Sequence, residues 1–202
     1  MKKIAFMLCF FALIFYHSTA QAKFPVHLGG FALGGDTAAY QNSINMESCR
    51  EIPFKTYLGE GRIIPPPGFK SGTITYGLCD KKNKILRIKL KFKDSSRPFF
   101  KKLLREYKEQ LGQPDEYKGD PFHTLIAWKW SFTNNKKEKI SLILQYNNVI
   151  GDEKMGNTVK LTLMSQLKKE RACFKKNFPK KRRKPDKTRM DSKAMWKMFV
   201  PY

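Results

Sequence analysis

Nine residues set the strongest constraint on the fold. From Ile85 to Lys93 the chain alternates without a break: Leu86, Ile88, Leu90 and Phe92 on one side, Arg87, Lys89, Lys91 and Lys93 on the other. A period of two places these sets on opposite faces of a strand, one packed on a core and the other polar. Such a strand needs antiparallel neighbours and an apolar layer to cover it. Two readings of its basic row are open. The lysines either protect an edge strand from pairing with another sheet or form a surface for an anionic partner.

The following segment supplies a covering layer. Ser95 or Ser96 can cap a helix, and Pro98 suits its first turn. Phe100, Leu103, Leu104, Tyr107 and Leu111 then recur on one helical face. Gly112 and Pro114 end the helix. Beyond it, Ile126, Trp128, Trp130 and Phe132 alternate, as do Ile140, Leu142, Leu144 and Tyr146, and then Val159, Leu161 and Leu163. Three strands in sequence predict a meander packed on the helix. The rings of Trp128 and Trp130 belong to that core or, on the second reading, to an exposed platform that anchors a partner.

Earlier in the chain, Asp36 caps a short helix over residues 37–44. A strand is predicted over 49–57 and another over 73–79. The stretch 58–72 reads as a loop, because it carries Gly59, Gly61, Pro65-Pro66-Pro67 and Gly68. The predicted class is α+β: an antiparallel sheet backed by helices, in an order that allows two α-β-β-β halves. If 49–57 and 73–79 form a hairpin, Cys49 faces Cys79, and a disulfide between them is expected.

The first 22 residues have the form of a secretory signal. Lys2 and Lys3 precede an apolar run of 13 residues, Ile4 to Tyr16, and Ala20-Gln21-Ala22 offers the small-x-small cleavage site. Cleavage removes two lysines and no acids, which leaves a net charge of +21 out of +23. A periplasmic or secreted location is expected, and it takes so basic a chain away from nucleic acid.

The charge is uneven. Residues 168–202 hold 14 basic and 3 acidic residues. The chain therefore divides into a signal (1–22), a globular domain (23–167) and a basic C-terminal tail (168–202). Lys180, Lys181, Arg182, Arg183 and Lys184 form the densest cluster. Trp196 and Phe199 follow it and could sit at a membrane interface. The expected partner is an anionic envelope component or protein, with peripheral membrane contact through the tail.

No spacing of His, Cys, Asp and Glu marks a metal site, and no cofactor is expected. Cys173 with His123 is a conceivable nucleophile and base, although nothing local singles them out. Asp115, Glu116 and Asp120 fall in a Gly/Pro turn, where aspartates bond to the local backbone. The expected function is therefore a non-catalytic binding or scaffolding protein of the envelope. The rivals are an inhibitor or effector acting through its sheet face, and an envelope enzyme.

One segment carries a likeness to a known family. A helix ends in Leu111-Gly112-Gln113-Pro114, a polar stretch with Asp120-Pro121-Phe122 follows, and Trp128-Lys129-Trp130-Ser131-Phe132 opens a three-stranded meander. Over residues 96–165 this resembles the BamE (SmpA/OmlA) family of small envelope lipoproteins. The resemblance implies a helix-on-meander fold and an envelope location. Tandem helix-plus-sheet halves are likewise similar to the arrangement in β-lactamase inhibitory proteins. The chain departs from BamE in lacking a lipobox and in its far higher basic charge.

Overall fold

A computed structural model describes residues 24–149 and 156–179. The signal segment and the cluster Lys180 to Lys184, with Trp196 and Phe199, lie outside the described residues.

The chain opens with a small hairpin, β1 (His27–Leu28) and β2 (Phe31–Ala32), and a 3-10 helix (Thr37–Ser43) capped by the Asp36 side chain. Four strands follow: β3 (Ile44–Ile52), β4 (Lys55–Ile63), β5 (Phe69–Gly77) and β6 (Ile85–Phe92). Helix α1 (Arg97–Leu111) leads to β7 (Glu116–Tyr117), β8 (Leu125–Thr133), β9 (Lys139–Asn147) and β10 (Gly156–Leu163). Helix α2 (Met164–Asn177) follows directly. Strands β3 to β10 form one antiparallel sheet in the order β3-β4-β5-β6-β10-β9-β8-β7.

The order reads alike from either edge. Two four-stranded meanders meet at β6 and β10, and each is followed by a helix. The halves are therefore ββββα, where the sequence pattern had suggested α-β-β-β. Corresponding turns share residues: Pro53-Phe54-Lys55-Thr56 joins β3 to β4, and Pro121-Phe122-His123-Thr124 precedes β8. Phe54 and Phe122 are both exposed.

The alternation in β6 produces the layer it predicts. Leu86, Ile88 and Leu90 are fully buried, together with Val159 and Leu161 of β10 and Leu144 of β9. Burying each such side chain contributes roughly 1.5–3 kcal/mol. Helix α1 packs on the same core through Phe100, whose ring lies 5.7 Å from that of Tyr146. Ser96 caps the helix by accepting from the Phe99 amide. Asn157, also on this face, donates to the carbonyls of Asp94 and Ser96 and so ties the start of α1 to β10.

Three expectations are corrected. First, no continuous strand runs over 49–57. The chain turns at Pro53-Phe54, and Leu58–Ile63 belongs to β4 where a loop was predicted. The glycines that suggested a loop mark close approach instead. A side chain on Gly59 would meet the Tyr76 ring, and one on Gly61 would meet the Cys49 sulfur. Second, Cys49 is a free thiol on edge strand β3, and Cys79 is bonded to Cys173. The expected Cys49–Cys79 bridge fails because β4 lies between β3 and β5. Third, the folded body extends past residue 167, since α2 runs to Asn177 and carries the bonded Cys173.

Helix α2 lies against β4, β6 and β9. Its anchor is Glu170, fully buried. The Glu170 carboxylate accepts the amides of Cys79, Asp80 and Lys81 at 2.9, 2.9 and 2.7 Å. Gly77 leaves the space this carboxylate needs.

Three outcomes are expected. Peptide mapping without reductant should recover Cys79 linked to Cys173 and Cys49 open to alkylation. Cys173→Ser should cost about 4–5 kcal/mol in urea unfolding, the chain-entropy value for a loop of this length. Glu170→Gln should cost about 2–4 kcal/mol in the same assay, because a single amide oxygen replaces a buried carboxylate that accepts from three backbone amides.

Candidate anion-binding face

The face of the sheet opposite α1 is built from the other half of each alternation. One row of register partners crosses it from β4 to β8: Arg62, Thr73, Lys89, Lys160, Ile143 and Lys129. Four of these six positions are cationic. Strands in a sheet lie about 4.8 Å apart, so Arg62 and Lys129 stand about 24 Å apart along the row. The row is mirrored about its centre, where Lys89 of β6 directly faces Lys160 of β10.

The flanking rows carry hydroxyls. Thr75, Arg87, Thr162 and Ser141 are successive partners on one side; Ser71, Lys91, Thr158 and Gln145 are on the other. Arg87 Nε donates to Thr162 Oγ1 at 3.3 Å. Around Lys89 the sheet therefore presents Arg87 and Lys91 along its own strand, Lys160 across one strand and Arg62 two strands away.

Lys89 and Lys160 are like charges at directly opposed positions. Like charges directly opposite each other destabilise a sheet pair. Among the described residues, no carboxylate forms an ion pair with Arg62, Arg87, Lys89 or Lys160. Glu60 is near enough to favour the charge on Arg87 but makes no ion pair with it. Lys129 differs, since Glu116 holds it at 3.1 Å. Burial lowers the Lys160 amine below the ordinary lysine value, and the charges of Arg87 and Lys89 lower it further. Burial likewise lowers Arg87, with Glu60 opposing.

Two depressions open beside the cluster. One, of about 280 Å³, is lined by Arg62, Ser71, Thr73, Lys89, Lys91 and Thr158, with Ile63, Pro65 and Gly72 at its margin. Its neighbour, of about 430 Å³, shares Arg62 and Thr73 and adds Glu47, Ser48, Arg50 and Glu60.

Of the residues singled out in the sequence, Arg87, Lys89 and Lys91 share this face, and Lys93 lies just past the strand. Their strand is central, paired on both sides, so protection of an edge is not their role. The sequence pattern missed Arg62, placed in a predicted loop, and Lys160. The signal for Lys160 was present in the alternation Thr158, Lys160, Thr162 between Val159 and Leu161.

The tryptophans lie on the other face. Trp130 is 2% exposed, and its Nε1 donates to the Gly112 carbonyl at 2.9 Å. Trp128 is half-buried against Tyr117, with Lys108 Nζ 5.8 Å from its ring. An anchoring role for Trp130 is thereby overturned, because α1 covers it. The proposed pairing of Cys173 with His123 also fails: Cys173 is in the disulfide, and His123 Nδ1 lies 3.1 Å from the Tyr117 hydroxyl. Asp120 bonds to the backbone of its own turn, at the Phe122 and Thr124 amides, as expected.

In comparisons with protein families, with characterised proteins and with solved structures, nothing matches this chain.

The charge at the centre of the sheet costs stability. Lys160→Gln should therefore raise the urea midpoint, by about 0.5–1 kcal/mol of stability, by removing the repulsion with Lys89. Added salt should raise the midpoint of the parent protein more than that of the variant.

Proposed function

We propose that this is an exported, non-catalytic binding protein of the cell envelope that docks an anionic partner on its basic sheet face. The observation that carries the reading is the central pair: Lys89 opposite Lys160, flanked by Arg87, with no ion-paired carboxylate among the described residues. A fold retains a directly opposed pair of like charges at a cost, and an anion supplied by a partner offsets that cost. Two features support export. The N-terminal segment has the form of a cleavable signal, and the Cys79–Cys173 bond suits an oxidising compartment.

The tail cluster Lys180 to Lys184 adds non-specific attraction in this reading, and the sheet face adds the fixed geometry. Neutralising Arg62, Lys89 and Lys160 together to glutamine should weaken sedimentation with anionic vesicles, or retention by an anionic envelope fraction, by about tenfold or more at low salt. Neutralising Lys101 and Lys102, on α1, should change it much less. Equal binding by the sheet-face triple variant and the parent would refute the role of the face.

A further inference from the structure

Resting on that reading, we infer that the partner presents a diphosphate, or two phosphoryl groups set close together, and that Lys89 and Lys160 hold one of them. The cations of the cluster are not spread over the face. They form a compact cross: Arg87, Lys89 and Lys91 succeed one another on β6, Lys160 is the register partner of Lys89, and Arg62 lies two strands away in the same row. Alternate residues on a strand are about 6.8 Å apart, and neighbouring strands about 4.8 Å. The cluster therefore spans about 14 Å by 14 Å, a size that matches a small, densely charged group.

The chemistry of the surrounding side chains narrows the ligand. Thr73, Thr158 and Thr162 border the lysine pair; Thr158 and Thr162 are buried, and the Thr162 hydroxyl accepts from Arg87. Side chains that only donate, set among hydroxyls, suit phosphoryl oxygens, which accept several hydrogen bonds each. The described register positions of this face from β4 to β9 hold no aromatic side chain, so base stacking has no platform there. A dianion also answers the electrostatics. Two lysines at directly opposed register positions are balanced better by a dianion than by a single charge, and a phosphoryl group carries up to two. The depression beside Lys89, lined also by Arg62, Lys91 and Ser71, leaves room for the second group.

Calorimetric titration of the purified full chain tests this. The titrants are inorganic pyrophosphate, inorganic phosphate and succinate, at one ionic strength. Pyrophosphate should bind at least tenfold more tightly than succinate and more tightly than phosphate. Lys160→Gln and Lys89→Gln should each lower pyrophosphate affinity about tenfold while keeping or raising the urea midpoint. A second arm uses phosphatidylcholine vesicles containing phosphatidic acid. Vesicle binding that pyrophosphate competes away assigns a lipid headgroup as the source; pyrophosphate binding without vesicle binding assigns a free ligand. Two results overturn the inference: pyrophosphate binding no better than succinate, or unchanged pyrophosphate affinity in both lysine variants. If retention by the anionic envelope fraction still depends on Arg62, Lys89 and Lys160, the basic-face reading survives that failure. If it does not, both fall.

Discussion

Everything in this fold hangs on the pairing of β6 with β10. These two strands close two separate meanders, and their ladder is the seam that makes one eight-stranded sheet of them. Their partners are about 70 residues apart in the chain, as in Lys89 with Lys160, so the loop-closure entropy of the seam must be recovered from what it buries. The recovery comes from one face only. Ile88, Leu90, Val159 and Leu161 are fully buried beneath the seam. The opposite face of the same four-residue window carries Lys89 and Lys160, and there the pairing works against stability. The core overcomes the repulsion, and that surplus is what lets the seam carry charge.

Legibility from sequence followed the range of the interactions. The strand at 85–93, the helix at 97–111 and the meander after it were readable because each rests on local periodicity and local caps: Ser96, Pro98 and Gly112 announce α1 within a few residues. Strand β4 was not readable, because its glycines answer to Tyr76 and Cys49, residues on other strands. The disulfide was misjudged for a related reason. A pairing of hairpin strands was assumed, and an unseen strand between them removed the contact. Helix α2 was hidden by its charge. Five of its fourteen residues are exposed Lys or Arg, and the features that bind it to the fold are the buried Glu170 and Gln166 and the bonded Cys173, none of them an apolar stripe.

For the site, half of the cluster was visible. A single strand can announce its own row, as β6 did with Arg87, Lys89 and Lys91. What a strand cannot announce is its neighbour in register. Arg62 and Lys160 join the cluster only once the sheet order is known, whereas the alternation around Trp130 already allowed the core position it takes. The net charge of +23 thus says little by itself; it is the placement of five cations on adjoining strands that gives the face a shape a ligand can recognise.

The Cys79–Cys173 bond has a consequence in time. The bond encloses 94 residues of chain, from the turn before β6 to the last described helix. Cys79 is therefore made long before its partner, and in that interval the other cysteines already made are Cys9 and Cys49. The correct bond can close only after Cys173 has been made, and the docking of α2 through Glu170 holds Cys173 beside Cys79. Maturation of this protein is thus a matter of waiting. The bond closes over the whole second half of the sheet, and a chain truncated anywhere short of Cys173 is left with thiols instead of a clasp.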